Sequence, residues 1–323
     1  MKTAFFALGL AAVTASVKGI DYEVASCAEL KDIDDTTVTS VTITSTPFEC
    51  DSYTRFRVRN SMVLKSDSPV EFTNFALKVL GTLTVEPDVT FQDVTEQTTN
   101  GGALYVDRGS SATFLGTARF LHNSVTSSWY TGRDDLYEVN DGGAVYNKGE
   151  LVFDGDVTFS KNEALTELST QRARGGAIYN AKFGAITFNA DLAVAEGRAD
   201  GFFEGNGGAI YTNGEIVVEG KSTFTDNDSA EGGSIFISKI GTITFNDFST
   251  FTHNTAYDFR GGAICNYGTL NLMGGSLFHD NYASGSGDAG SGGGIYNGED
   301  AYLSFSGDNT FDSNGALDGG AIY

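Results

Sequence analysis

The 323-residue sequence predicts an all-β fold: a right-handed parallel β-helix with three short strands per coil. Three observations lead there. A mark of the form G-G-small-aliphatic-aromatic recurs at Gly101, Gly142, Gly175, Gly207, Gly232, Gly261, Gly292 and Gly319, with Cys265 alone replacing the aromatic. A second mark, F-x-x-N, follows at 17 or 19 residues in most coils, as at Phe120–Asn123, Phe159–Asn162 and Phe251–Asn254. Between the two marks, runs such as Ile243-Thr244-Phe245 alternate apolar and polar residues, the signature of a strand with one buried face. A single such unit cannot cover its own inner face. Stacked units can, each strand pairing in parallel with its equivalent about 4.8 Å away.

Composition agrees. Glycine reaches 41 residues, nearly twice its usual share, against only 3 prolines, while Phe (24) and Tyr (14) are abundant. The net charge of −22 argues against nucleic acid and anionic membranes as partners, since each calls for a basic patch. It favours solubility, and at most a loose uptake of Ca²⁺ with no resident cofactor.

Taken in chain order, residues 1–19 (MKTAFFALGLAAVTASVKG) read as a secretory signal: Lys2, an apolar run too short to span a bilayer, then a small-residue exit. The mature chain is therefore expected to be secreted, extracellular or on the cell surface, with no membrane anchor in the visible chain. Residues 20–74 form an N-terminal cap with degenerate coils, in which Cys27 and Cys50 are placed to close a disulfide. Cys265 is left as a free thiol inside a repeat. Leu83-Thr84-Val85 and Val89-Thr90-Phe91 mimic the second and third strands without the glycine pair.

Residues 75–323 form the repeat domain. Its columns are expected to stack: Leu104, Val145, Ile178, Ile210, Ile235, Ile264, Ile295 and Ile322 inward, and Phe120, Phe159, Phe224, Phe251, Phe278 and Phe311 likewise. In the Gly175 coil the Phe place is assigned to Leu192, with no Asn following. The Asn of each F-x-x-N is expected at a turn, stacking its amide along the axis while tolerating a left-handed backbone. The aromatic column from Tyr105 through Tyr146, Tyr179, Tyr211 and Phe236 to Tyr296 is either an exposed adhesive stripe or a satellite core. The chain stops inside a first strand at Tyr323, as expected of a truncated product or of a unit that docks end to end.

Paired GGAI and F-x-x-N marks at this spacing resemble the repeats of the polymorphic outer-membrane proteins, and of right-handed β-helix (pectin-lyase-like) proteins in algae and protists. The resemblance implies a surface-exposed β-helical passenger acting as an adhesin. In the bacterial family a C-terminal membrane barrel carries that passenger; no barrel sequence occurs among these residues, so that part does not transfer.

Length variation concentrates between F-x-x-N and the next glycine pair, so insertions are expected on one edge of the solenoid, the usual place for a binding surface. The longest contains the candidate ligand-contacting residues Trp129, Tyr130, Arg133, Asp134 and Asp135, an aromatic pair beside an arginine and carboxylates suited to a sugar ring. Phe202, Phe203, Arg172, Arg174 and Arg198 join them from the next two insertions. The expected partner is an extracellular glycan or a cell-surface protein. Glu231 beside Arg260 and Asp141 beside Arg174 are expected as weak surface pairs. No catalytic or metal-ligating residue is assigned. The alternative is a lyase, hydrolase or epimerase of acidic polysaccharides, for which the Asp226, His253, Asp280 column is the one candidate constellation.

Overall fold

The computed structural model describes residues 20–31, 38–96, 100–127, 139–166, 172–201, 204–285 and 290–323. Nearly every element is a short strand, and every pairing between strands is parallel to an equivalent strand one coil away. One coil shows the pattern. Val145–Asn147 carries the glycine-pair mark, Glu150–Phe153 is the second strand and Val157–Ser160 the third. A further short strand, Glu163–Thr166, follows the Asn.

The second strands stack into an 11-stranded sheet running from Ile20–Val24 to Tyr302–Phe305. First and third strands build two ladders that merge into one 17-stranded sheet. They merge because Phe48–Val58 and Val70–Val79 run through the corner between them: Val70 pairs with Val89 of a third strand, and Leu77 with Leu104 of a first. The strands after the Asn form a 7-stranded ladder, beyond the three anticipated per coil. Its inward positions are Glu96, Val125, Ala164, Ala199, Ser229, Ala256 and Ala283, all buried, with Glu96 lying 3.5 Å from Arg55. With some of these strands only two residues long, alternation is too brief to read from sequence.

The core is a set of files. Leu104, Val145, Ile178, Ile210, Ile235, Ile264 and Ile295 lie in continuous register and are fully buried. The Phe file stacks ring on ring: Phe224 to Phe251 at 5.0 Å, Phe251 to Phe278 at 4.6 Å, Phe278 to Phe311 at 4.8 Å. It extends upstream through Phe91 to Phe72, at 5.4 and 5.1 Å. The Gly175 coil differs from expectation by two residues. Leu192 pairs with Val157, so Val194 occupies the Phe file and Gly197 the Asn place. The distance from Gly175 to Val194 is 19, the other spacing the repeat allows, and an aliphatic in place of Phe hid the register.

The left-handed residue at the corner is not the Asn but its predecessor. Asn74, Asp93, His122, Lys161, Glu196, Asp226, His253, Asp280 and Ser313 all have φ between 52° and 56°. That residue turns the chain outward and throws the next side chain into the core. In four coils the buried amide then spans two coils. Asn227, Asn254 and Asn281 each donate from Nδ2 to the Oδ1 of the Asn one coil on, at 2.9 Å in each case. The same Nδ2 groups donate back to the carbonyls of Val194, Phe224 and Phe251. Asn123 and Asn162 make the same link at 3.0 Å; Gly197 interrupts the ladder, offering only its backbone N–H to Asn227 Oδ1 at 2.8 Å.

A second amide ladder closes the first strands, where Asn follows Val145-Tyr146, Ile178-Tyr179, Ile264-Cys265 and Ile295-Tyr296. Asn147 donates to Asn180 Oδ1 at 2.9 Å and Asn266 to Asn297 Oδ1 at 2.7 Å; of the two places between, Thr212 accepts from Asn180 and Ile237 interrupts the ladder. The glycine pair has its own cause. Gly207 has φ +68°, a conformation that side chains rarely adopt, and a Cβ on Gly208 would collide with the Gly233 carbonyl of the next coil. At the N-terminal end the short helix Cys27–Lys31 covers the first coils, and Cys27 is bonded to Cys50 with Cα atoms 5.4 Å apart.

Replacing Asn254 by Ala removes both axial bonds and leaves a buried Asn281 Oδ1–Asn227 Nδ2 mismatch, so a loss of about 2–4 kcal/mol is expected. The same change at the part-exposed Asn314 is expected to cost less than half as much, as read by urea denaturation of both variants.

Candidate functional site

The insertion edge lies between the ladder that follows the Asn and the glycine pair. Three additional strands, Val139–Asp141, Arg172–Arg174 and Glu204–Asn206, form a small parallel ladder there, present where the insertions are long. Trp129, Tyr130, Arg133, Asp134, Asp135, Phe202 and Phe203 lie outside the described residues. Their flanking strands do not: the first five fall between Ser124–Ser127 and Val139–Asp141, the phenylalanines between Arg198–Asp200 and Glu204–Asn206.

The arginines expected to serve ligand on this edge are engaged elsewhere. Arg174 grips Asp141 with two bonds, Nε to Oδ1 at 2.8 Å and Nη2 to Oδ2 at 2.7 Å. This is no weak surface pair. The Asp141 side chain is 3% exposed and Arg174 19%, so two charge-assisted bonds operate away from water. Arg198 bonds Asp200 at 2.7 Å and lies 3.5 Å from Asp228, half in solvent.

The pair sits on the aromatic file, and this decides between the two readings of that file. Tyr105, Tyr146, Tyr179, Tyr211 and Phe236 stack at 5.0–5.2 Å, and from Tyr146 to Phe236 the rings are 6–9% exposed. Cations cover them: Lys78 and Lys148 over Tyr105, Arg174 over Tyr179 at 4.7 Å and Tyr211 at 5.1 Å, Arg260 over Tyr296 at 4.8 Å. The file is a satellite core and not an adhesive stripe. Burial raises the hydroxyl pKa of Tyr146 and Tyr179 well above the ordinary phenol value.

Where Cys265 replaces a ring, the file is repaired from two residues away. Tyr267 folds into the gap, 5.5 Å from Phe236 and 5.7 Å from Tyr296. Its hydroxyl donates to Glu231 at 2.8 Å and accepts from Arg260 Nη1 at 3.3 Å, so the expected Glu231–Arg260 pair is bridged by a phenol. The Cys265 thiol is fully buried, and burial together with Glu231 pushes its pKa up, which makes it an inert thiol.

The Asp226, His253, Asp280 column does come together, at the left-handed corner. His253 lies 3.9 Å from Asp226 and 3.6 Å from Asp280, while His279 bridges Asp280 at 3.2 Å and Asp312 at 3.0 Å. These side chains are 37–62% exposed. The corner is solvated, and among the described residues no group of three or more His, Cys, Asp or Glu is arranged to hold a metal ion.

Residues 156–181 match the model of the Chlamydia polymorphic membrane protein repeat. The repeat is of the polymorphic membrane protein type. The matched stretch starts on the third strand, passes Phe159–Asn162 and the insertion, and ends after Gly175-Gly176-Ala177-Ile178-Tyr179-Asn180. The Pmp-type repeat is thus the unit that contains both the buried Asn corner and the strained glycine pair, the two places where the backbone is most constrained. Over 198 residues the chain is 30% identical to the probable outer membrane protein pmp7 of Chlamydia pneumoniae, an alignment that takes in 56% of this chain and 20% of the relative. The chain therefore matches about a fifth of that relative's length. No solved structure matches it at a significant level.

The Asp141–Arg174 pair titrates in an unusual direction. Burial pushes the Asp141 carboxyl up to about 6, against the pull of Arg174. Burial also works to lower Arg174, but the Asp141 charge outweighs it and holds the guanidinium above its ordinary value. A carboxyl whose folded pKa exceeds its unfolded one binds its proton more tightly in the native state. Stability from this group is therefore full below about pH 4, declines as the pH rises towards 6, and is constant above that. The stability of the wild type relative to Asp141→Asn is expected to fall by on the order of 2–3 kcal/mol between pH 4 and 7 in urea melts. A difference that grows with pH would show Arg174 to dominate burial.

Proposed function

We propose that this protein is a secreted or surface-displayed β-helical adhesion module that binds an extracellular glycan or a cell-surface protein without catalysing a reaction on it. The observation that carries the reading is the ladder Val139–Asp141, Arg172–Arg174, Glu204–Asn206. It brackets three consecutive insertions in parallel, so segments of different length and composition leave and rejoin the solenoid on one edge. A rigid scaffold with one variable edge serves recognition: the strands fix the spacing of the insertions, and the insertions supply the chemistry. In this reading Trp129 and Tyr130 stack on the ligand, Arg133, Asp134 and Asp135 bond its polar groups, and Phe202 extends the contact from the neighbouring insertion.

The Pmp-type repeat and the outer-membrane relative support a surface setting, and the apolar leader at residues 1–19 supports export. The polysaccharide-cleaving alternative is weaker, because the side chains of the Asp226–His253–Asp280 file are 44–57% exposed, with water around the imidazole and both carboxylates.

The test compares the protein with a variant whose residues 128–138 are replaced by a Gly-Ser linker, on a glycan array and on intact cells. Binding is expected for the wild type and a loss of at least about tenfold for the variant, equivalent to ~1.4 kcal/mol. Incubation with pectin or alginate is expected to yield no new ends. Turnover abolished by His253→Ala would overturn the reading.

A further inference from the structure

The corner between first and second strands alternates strictly along the axis. Coils that begin at Gly142, Gly207 and Gly261 turn tightly, Gly149, Gly214 and Gly268 each bonding back to Asn147, Thr212 and Asn266. Coils that begin at Gly101, Gly175, Gly232 and Gly292 turn through a longer loop. Each longer loop is closed by a backbone bond: Ser110 to Asp107 (3.1 Å), Gly184 to Ala181 (2.9 Å), Gly241 to Ser238 (2.9 Å) and Ala301 to Gly298 (3.0 Å). The long turns therefore project two coils apart, about 9.6 Å at ordinary strand spacing, with a trough over each short turn.

Two of these troughs, of about 520 and 440 Å³, meet at Phe183. One runs from Arg108 over Lys148 and Gly149 to Phe183, the other from Lys182 and Phe183 over Asn213 and Gly214 to Ile240. Phe183 is 67% exposed, with φ +70°. A bulky residue in that conformation costs on the order of 1–2 kcal/mol relative to glycine, and the equivalent place in the Gly101 coil is Gly109, at φ +77°. Neither the core nor the backbone asks for a ring there. Two cations attend it: Lys182 at 4.9 Å and Arg108 at 5.2 Å from the ring centre. The next long turn repeats the pattern with Lys239 and the exposed Ile240.

We propose that this corner is a binding groove for a linear polysaccharide bearing acidic groups. The ring offers an apolar face to the C–H side of a pyranose. Arg108 and Lys182 offer charge to carboxylates or sulfates on a chain of net charge −22. Glu150 and Glu215, at the edges of the troughs, accept from sugar hydroxyls. The troughs are open and continue along the axis, which suits an extended chain, and the two-coil repeat is close to the length of two linked pyranose units. Distant acidic residues oppose a polyanion weakly, since at physiological salt the screening length is about 8 Å. This groove is separate from the insertion edge and does not rely on it.

The experiment titrates the full chain with polygalacturonate, dextran sulfate and neutral dextran, at low and at physiological salt. Binding of at least one polyanion is expected, weakened by salt, with none for dextran; preference between the two polyanions identifies carboxylate or sulfate as the recognised group. Phe183→Gly relieves the left-handed strain and keeps the fold, and is expected to lower affinity at least about tenfold. Arg108→Gln with Lys182→Gln is expected to do the same and to flatten the salt dependence. The variant lacking residues 128–138 is expected to bind as the wild type. Unchanged affinity in Phe183→Gly, equal binding of dextran, or loss on removing residues 128–138 would each overturn the proposal.

Discussion

In this solenoid each side chain lies one strand spacing from its equivalent in the next coil, and that repetition is the constraint everything else obeys. At roughly 4.8 Å, whatever occupies a position must be compatible with copies of itself above and below. Aliphatic residues satisfy this by packing and phenyl rings by stacking face to face. An Asn amide does so by donating to one neighbour and accepting from the other. Charges of one sign repeated along a file do not satisfy it, and the one carboxylate that enters an inner file, Glu96 at the first strand of its ladder, lies 3.5 Å from Arg55.

The same rule accounts for the corners. At every turn after the third strand a residue adopts the left-handed conformation, and these nine residues include acids, a lysine and two histidines with no common chemistry. Their side chains point to solvent, so only the backbone is constrained there. The Asn that follows is the opposite case, with its side chain held and its backbone ordinary. Function can vary at the first and not at the second. That difference explains why the histidine–aspartate ridge is solvated and irregular while the buried ladder beside it is uniform.

Departures from the repeat are compensated locally. Tyr267 replaces the ring missing at Cys265, and Thr212 stands in for an amide between Asn180 and the next coil. Gly197 has no such substitute and simply ends one ladder before Asn227 starts another. Asp141 and Arg174 answer differently: opposite charges alternate in a file where like charges would repel, and the rings beneath hold the guanidinium flat. The two proposed binding surfaces lie where stacking places no demand, on the insertion edge and on the projecting turns around Phe183.

The parallel β-helix was legible because its cause is local: glycine pairs, Phe spacing and alternation all recur along the chain, and stacking is the one arrangement that buries them together. The aliphatic and Phe files could be named residue by residue for the same reason. Register at Val194 was not legible, since an aliphatic pair two apart reads alike in either phase. The fourth ladder was too short to alternate. Whether the Tyr file faces water, whether Asp141 meets Arg174 in or out of solvent, and how alternate long and short turns carve troughs beside Phe183 depend on what lies in the neighbouring coil, some 25 to 40 residues away in the chain. Sequence alone determined the repeating coil; only the stacking of coils decided which polar and aromatic groups are buried, because burial here is a property of two adjacent turns and never of one.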